Sequence, residues 1–134
     1  MMIEMLLGHL VGDYFLQTQY LALNKSRNTL KGWLAAFIHC IIYTASVCVF
    51  MWNFDLIWIV VVFLSHFPID KFSLADKYME YLTGGSMKEY VQRDCGLVSR
   101  RMDVLIGGFA TLRYLIIDNG LHILIMWVAY QIIY

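Results

Sequence analysis

The sequence predicts an all-α integral membrane protein, a bundle of four transmembrane helices with a cytoplasmic amphipathic helical insertion between the third and the fourth. Of its 134 residues, 60% are hydrophobic and only 15% are charged, against about 25% charged residues in ordinary globular chains. Four segments are apolar over about the 20 residues that a helix needs to cross the hydrocarbon core. All lysines and arginines fall in two connections. We expect residues 1–134 to form a single membrane domain.

The four predicted spans differ in length and regularity. Their bounds are about 2–23, 32–52, 56–72 and 104–134. The third is short and has Pro68 near its end, and the fourth is most apolar after Arg113, over about 113–134. The beginning of the fourth could instead be interfacial, or a re-entrant turn at Gly107-Gly108.

A polar segment, about 73–103, separates the third and fourth spans. Its first part has apolar residues at helical spacing, at Phe72, Ala75, Tyr78/Met79 and Leu82. This pattern predicts an amphipathic helix, which the Gly84-Gly85 pair should end. The stretch MKEYVQRDCGLV could add another short turn of helix before Gly96. An ordered soluble loop is the alternative.

The distribution of basic residues predicts the orientation. They are Lys25, Arg27 and Lys31 in the first connection, and Lys71, Lys77, Lys88, Arg93, Arg100, Arg101 and Arg113 in or beside the third. The positive-inside rule places both basic connections in the cytoplasm and both termini outside. The formal net charge is zero, so the sequence gives no support for a nucleic-acid partner. The lipid bilayer is the expected partner.

All four histidines lie within predicted spans, and three of them have an aspartate four residues away. The pairs are His9-x3-Asp13, His66-x3-Asp70 and Asp118-x3-His122. Four residues make about one helical turn, so both members of a pair project from one face. Ionisable side chains inside a span are costly unless they are paired or line a wet cavity. The pattern therefore predicts a polar functional cluster.

Two further features bring these pairs together. His39, on the second span, has Tyr43 at the same four-residue offset, and Gln17 extends the first pair by a turn. Gly8 and Gly12 form a small-xxx-small step that lets a neighbouring helix approach closely. Counted from the cytoplasmic ends of the spans, the polar groups reach a common level in the cytoplasmic half.

Imidazole and carboxylate together are the ligand set for zinc and other first-row transition metals. The candidate ligands are His9, Asp13, His39, His66, Asp70, Asp118 and His122. Seven ligands exceed the needs of one tetrahedral ion. They would suit two metals, or one metal whose histidines are oriented by the remaining carboxylates. Zinc is the expected ion, with manganese or iron as alternatives, and Gln17, Tyr43 and Lys25 are expected to support the ligands.

The order of motifs resembles a known family. HLVGDYFLQT, then NK, then His39 with Tyr43, then HFPIDK and DNGLH resemble the bacterial and phage membrane family called domain of unknown function 3307. The resemblance extends from His9 to His122 and implies a bacterial inner membrane protein, without implying an activity. The spacing of the His-x3-Asp pairs is also similar to that in membrane-bound metal-dependent hydrolases regulated by the SOS response.

Three functions are compatible with such a cluster. The first is a membrane-embedded metal-dependent hydrolase of a phosphate ester or lipid-linked substrate, with Asp13 and Asp118 as catalytic carboxylates. Lys25 and Lys71, near the cytoplasmic mouth, could attract the anionic group of such a substrate or could simply mark the cytoplasmic interface. The second is metal-ion or proton transport or sensing, for which a homodimer would enlarge the small bundle. The third is a structural or inhibitory membrane protein.

Overall fold

A computed structural model describes residues 1–84 and 100–134; the side chains of residue 83 and of residues 100–107 are not described. Within these ranges the chain is helical and has no strand, which confirms the all-α class. The helices are α1 (Met2–Leu10), α2 (Gln19–Asn24), α3 (Leu30–Met51), α4 (Leu56–Lys71), α5 (Leu74–Thr83) and α6 (Arg100–Ile133).

The chain divides into two compact units. The first comprises Met1–Ser73 together with His122–Tyr134, and the second comprises Leu74–Leu121. The first unit therefore contains α1 to α4 and the last part of α6. The expectation of a single membrane domain stays a prediction.

The first predicted span, 2–23, is wrong as a single helix. A π-helical segment, Val11–Phe15, follows α1 directly, and the amide of Leu16 bonds to the carbonyl of Val11 five residues earlier. The helix stops there. The next helix, α2, begins directly after Thr18, whose hydroxyl accepts a hydrogen bond from the amide of Leu21. A threonine side chain satisfies free amides at a helix start, so it favours a break at this point.

The segment predicted as the second span forms one long helix, α3, with a short connection to α4. Trp52 ends α3 in the left-handed conformation, at φ 51°. Asp55 then begins α4 by accepting hydrogen bonds from the amides of Ile57 and Trp58, at 2.8 and 3.2 Å. The four-residue connection makes α3 and α4 neighbours that pack against each other along their length.

Two helices are long and apolar enough to cross a membrane, Leu30–Met51 and Gly108–Ile133. A third is present if Leu56–Lys71 and Leu74–Leu82, which form a bent pair, count as one span. Helix α6 continues through Gly107-Gly108, so the suggested re-entrant turn at this pair is wrong. The orientation with termini outside stays a prediction.

The polar segment begins as predicted. Helix α5 confirms the expected helix, and the chain leaves it at Gly84, whose φ of +70° is one that glycine adopts readily. The suggested turn over MKEYVQRDCGLV lies outside the described residues.

The core of the first unit lies where α1, α3, α4 and the end of α6 meet. Its buried residues are Met5, Tyr43, Val47, Cys48, Trp58, Val62 and Met126. The Trp58 ring packs edge-on against Tyr130, with the ring centroids 5.6 Å apart. Many large apolar side chains elsewhere on these helices are exposed, as expected for surfaces that face lipid.

Helix α1 packs tightly on α3 at two glycines. A Cβ atom on Gly8 would lie 2.8 Å from the Cα of Val47, and one on Gly12 would lie 2.9 Å from the Tyr43 ring. The hydroxyl of Ser46 also donates to the carbonyl of Gly8, at 2.9 Å. The predicted small-xxx-small step is therefore confirmed, and it places His9 and Asp13 against α3.

Candidate metal centre

Six of the seven predicted ligands lie in the first unit, and all six are buried. They are His9, Asp13, His39, His66, Asp70 and His122, none more than 6% exposed. They come from α1, the π-helical segment, α3, α4 and α6. The seventh, Asp118, belongs to the second unit, and its role as a ligand or a base stays a prediction.

Four ligand atoms converge at the centre of the cluster. His39 Nε2 lies 3.0 Å from Asp13 Oδ1, 2.9 Å from Asp70 Oδ2 and 3.1 Å from His66 Nε2. His66 Nε2 in turn lies 3.2 Å from Asp70 Oδ2 and 3.5 Å from Asp13 Oδ1. Four ligands about 2.0–2.1 Å from one tetrahedral zinc ion lie about 3.3–3.4 Å from one another. The spacing of the donor atoms is therefore close to that of ligands around one small cation.

Hydrogen bonding alone does not account for this convergence. A neutral imidazole nitrogen carries either one proton or one lone pair. His39 Nε2 has three polar atoms within 3.1 Å, so a proton on it can serve only one of them. Asp13 and Asp70 bring two carboxylates to the same point. A bound cation would satisfy all four atoms together, because each has a lone pair to offer.

A second group of ligand atoms adjoins the first. His9, Asp13 and His122 each offer an atom within 4.8 Å of the other two. His9 Nδ1 lies 3.3 Å from Asp13 Oδ2, and the His9 and His122 rings have their centroids 5.2 Å apart. Asp13 is therefore common to both groups of potential ligands.

Tyr43 lies between the two groups. Its ring stacks on His66, with centroids 3.5 Å apart and planes at 11°. Its hydroxyl lies 3.0 Å from His9 Nδ1 and donates to Met126 Sδ at 3.4 Å. A side chain that touches two candidate ligands in this way fixes the orientation of both imidazoles.

Lys25 and Gln17 lie on the side of the cluster that reaches the surface. Lys25 Nζ lies 2.5 Å from Asp70 Oδ2, and the lysine side chain is 18% exposed whereas that of Asp70 is 5% exposed. The side-chain amide of Gln17 is oriented so that its oxygen faces a donor and its nitrogen faces an acceptor. The oxygen accepts a hydrogen bond from Lys25 Nζ at 2.7 Å, and the nitrogen donates to the backbone carbonyl of Asp13 at 3.2 Å. The cluster is therefore closest to the outside of the unit at Lys25.

The opposite side of the cluster is covered by apolar residues. Met5, Val62 and Met126 each lie about one helical turn from a ligand, next to His9, His66 and His122 respectively, and all three are buried. Given the directions of α1, α4 and α6, they lie at the end away from Lys25. Val47 and Trp58 complete this apolar layer. Within the first unit, the polar cluster is thus closed at one end.

Comparison with protein families gives one finding. The model of a family described as protein of unknown function, DUF3307, matches residues 1–134. The chain belongs to this family. The resemblance predicted from the sequence is thereby confirmed. Comparison with curated proteins and with solved structures finds no match.

Sequence reasoning missed the structural role of Lys71 in this family member. Its side chain is 4% exposed, and Nζ donates to the carbonyls of Arg27 and Lys25 at 2.7 and 3.3 Å. The ammonium also lies 4.3 Å from the centre of the Trp33 ring. Lys71 therefore holds the backbone around Lys25 in place through these hydrogen bonds. In the sequence it is one of ten basic residues, and nothing there separates it from the others.

Proposed function

We propose that this protein is a membrane-embedded, metal-dependent hydrolase that acts on a phosphate ester or lipid-linked substrate. The observation that carries the proposal is the convergence of four atoms: His39 Nε2 and His66 Nε2 lie 2.9–3.5 Å from Asp13 Oδ1, from Asp70 Oδ2 and from each other. Two imidazoles and two carboxylates form a ligand set suited to zinc, manganese or iron. We favour zinc, which accepts this mixed set in tetrahedral geometry.

The residues around the convergence support hydrolysis. A divalent metal in such a site lowers the pKa of bound water and polarises a phosphoryl or carbonyl oxygen. A carboxylate that does not bind the metal can take a proton from the attacking water; the catalytic roles expected for Asp13 and Asp118 stay predictions. Lys25, partly exposed beside Asp70, supplies a cation for the anionic group of the substrate.

The position of the cluster favours an anionic substrate that approaches from the cytoplasm. Lys25 and Arg27 belong to the basic connection that the positive-inside rule assigns to the cytoplasmic side. We propose a bacterial inner membrane location, with α3, α4 and α6 as spans, the α1 region as a fourth, shorter crossing, and α5 as the cytoplasmic amphipathic helix. A phosphate ester linked to a lipid would present its polar part near this interface.

Metal-ion or proton transport is the second candidate, because chains of aspartate and histidine inside membranes relay protons and ions. Transport requires a path through the whole membrane. The buried layer that includes Met5, Val62 and Met126 is formed mainly by apolar side chains and places no buried charged residue of the described first unit beyond the histidines. A site with one open side is what hydrolysis requires, so we favour the enzyme.

A structural or inhibitory role is the third candidate. Hydrogen bonds between membrane helices contribute on average about 0.6 kcal/mol. Burial of six ionisable side chains carries a desolvation cost for each of them, and this cost is large compared with the stabilisation that their hydrogen bonds would give to helix packing. Packing alone therefore explains the cluster poorly.

Metal content tests the proposal first. Detergent-purified protein should contain zinc, manganese or iron, and His66→Ala and Asp70→Asn should both lose it although they change different ligands. Glu80→Gln is the matched control, because Glu80 is an exposed acid on α5. Retention of metal by the control and its loss in both variants would support a shared site. Absence of metal from the wild-type protein after incubation with divalent ions would overturn the proposal.

Activity is tested with the metal-loaded protein. Phosphate monoesters, phosphate diesters and lipid-linked phosphates should be offered in detergent micelles, with release of phosphate or alcohol as the readout. We expect turnover that His66→Ala abolishes and Glu80→Gln preserves. A metal-loaded protein that hydrolyses none of these classes would favour transport or sensing.

A further inference from the structure

The cluster contains more ligand atoms than one tetrahedral ion can use, and the surplus is arranged around the two carboxylates. Asp13 turns its two oxygens in different directions. Oδ1 lies 3.0 Å from His39 Nε2, whereas Oδ2 lies 3.3 Å from His9 Nδ1. One oxygen therefore faces each group of histidines.

Asp70 repeats this arrangement from a different helix. Its Oδ2 lies 2.9 Å from His39 Nε2 and 3.2 Å from His66 Nε2, whereas its Oδ1 lies 3.8 Å from His122 Nε2. Both carboxylates thus have one oxygen toward the His39–His66 pair and one toward the His9–His122 pair. Two carboxylates oriented in this way can each bridge two cations.

We propose that the cluster holds two divalent cations bridged by Asp13 and Asp70, one bound also by His39 and His66 and the other by His9 and His122. The inference rests on the metal site of the proposed function and assigns a second cation to it. Asp13 belongs to both groups of potential ligands, as a carboxylate that bridges two cations would.

The charges of such a centre indicate the class of substrate. Two divalent cations bring four positive charges, which Asp13 and Asp70 only half neutralise, and Lys25 adds one more beside Asp70. The buried centre would therefore bind an anion strongly. Two-metal sites are suited to phosphoryl transfer, because paired cations stabilise both the attacking and the leaving oxygen. A phosphate ester fits this centre better than a carboxylic ester, which carries no charge at the reacting group.

A single cation is the competing arrangement. In that case His39 and His66 bind the ion, and the His9–His122 pair is held by hydrogen bonds, of which the contact between His9 Nδ1 and the Tyr43 hydroxyl at 3.0 Å is one. The two arrangements differ in stoichiometry and in what happens when a histidine of the second pair is removed.

The test measures manganese binding and its electron paramagnetic resonance spectrum in detergent-solubilised full-length protein. The wild type should bind two equivalents and give the spectrum of two exchange-coupled ions. His122→Ala should bind one equivalent and give an uncoupled spectrum. His9→Gln, from another helix, should do the same, so that misfolding of one variant does not decide the result. Glu80→Gln should keep two coupled ions, and circular dichroism should show that each variant retains its helices.

Each outcome bears separately on the two proposals. One equivalent of manganese in the wild type, or two that are not coupled, would overturn the bridged pair and leave a single-metal hydrolase intact. Retention of two coupled ions by both His122→Ala and His9→Gln would also overturn it. No binding in the wild type would overturn the bridged pair and the proposed function together.

Discussion

Lys25 Nζ and Asp70 Oδ2 lie 2.5 Å apart, and this carboxylate oxygen is the one that also faces His39 and His66. A positive charge on a side chain thus stands beside the position that the proposed metal would occupy. The ammonium neutralises part of the buried negative charge when no metal is bound, and it opposes the charge of a metal that enters. We therefore expect Lys25 to couple metal binding to the binding of an anion that approaches from the surface.

Removal of the Lys25 charge should strengthen metal binding. In Lys25→Gln the repulsion between ammonium and cation is absent, and we expect the affinity for zinc to rise on the order of tenfold, equivalent to about 1.4 kcal/mol. The same variant should bind inorganic phosphate more weakly when metal is present. Competition with a chelating dye measures the first quantity, and phosphate inhibition of dye binding measures the second.

Lys25→Arg is the matched control because it keeps the charge and the reach of the side chain. It should bind zinc with nearly the affinity of the wild type. If Lys25→Gln and Lys25→Arg bound zinc equally well, the charge of Lys25 would have no part in metal binding.

Close packing of α1 on α3 should make Gly8→Ala destabilising. The new Cβ would lie 2.8 Å from the Cα of Val47, and a backbone atom cannot move aside as a flexible side chain can. Overpacking of this kind costs roughly 1–3 kcal/mol. Thermal unfolding in detergent should therefore show a lower midpoint for Gly8→Ala.

Gly120→Ala provides the comparison for this experiment. Among the described residues nothing lies within 4 Å of a Cβ at Gly120, and alanine in a helix is favoured over glycine by about 1 kcal/mol. The midpoint should stay unchanged or rise. An equal fall in both variants would mean that the contact between Gly8 and Val47 is not what limits stability.

The sequence predicts which residues share a helical face but not how faces on different helices meet. The four-residue spacing predicts that both members of a pair project from one face. In the structure His9 and Asp13 lie 3.3 Å apart, and His66 and Asp70 lie 3.2 Å apart. The burial of all these groups followed from the cost of placing them in lipid. Counting from the cytoplasmic ends of the spans also predicts a common level for these groups. The meeting of His39 Nε2 with two carboxylates depends further on how three helices are rotated about their axes, and no local pattern encodes those rotations.

The π-helical segment could not be predicted for a related reason. Val11–Phe15 gains one extra residue per turn, and such segments arise where tertiary contacts outweigh the regular helix. The contact of Gly12 with Tyr43 comes from a helix distant in sequence. The break at Thr18 is different, because a threonine ahead of a helical stretch is a capping signal. That break is therefore encoded locally in the sequence, although the apolar run from residue 2 to 23 predicts a continuous span.

Loss of the Lys71 ammonium should loosen the first basic connection. Lys71→Met keeps the apolar stem over Trp33 but leaves the carbonyls of Arg27 and Lys25 without this donor. An unsatisfied buried polar group costs roughly 1–3 kcal/mol. We expect a lower thermal midpoint in detergent and faster amide exchange over residues 25–29.

Lys77→Met tests whether any loss of a lysine has this effect, because Lys77 is exposed on α5. Its midpoint and exchange rates should match those of the wild type. Unchanged exchange over residues 25–29 in Lys71→Met would show that this connection is held by other contacts.

The apolar layer at the closed end of the cluster should prevent passage of ions through the protein. Met5, Val62 and Met126 are buried one turn beyond His9, His66 and His122, and a cation that left the ligands in this direction would lose its polar partners. Proteoliposomes that contain a zinc-sensitive dye should therefore take up zinc no faster than protein-free liposomes. Zinc bound to the protein should nevertheless be removed by an impermeant chelator added on the side of Lys25. Zinc uptake by the wild type that disappears in His66→Ala would show instead that the cluster is part of a transport path, and the hydrolase proposal would then give way to the second candidate.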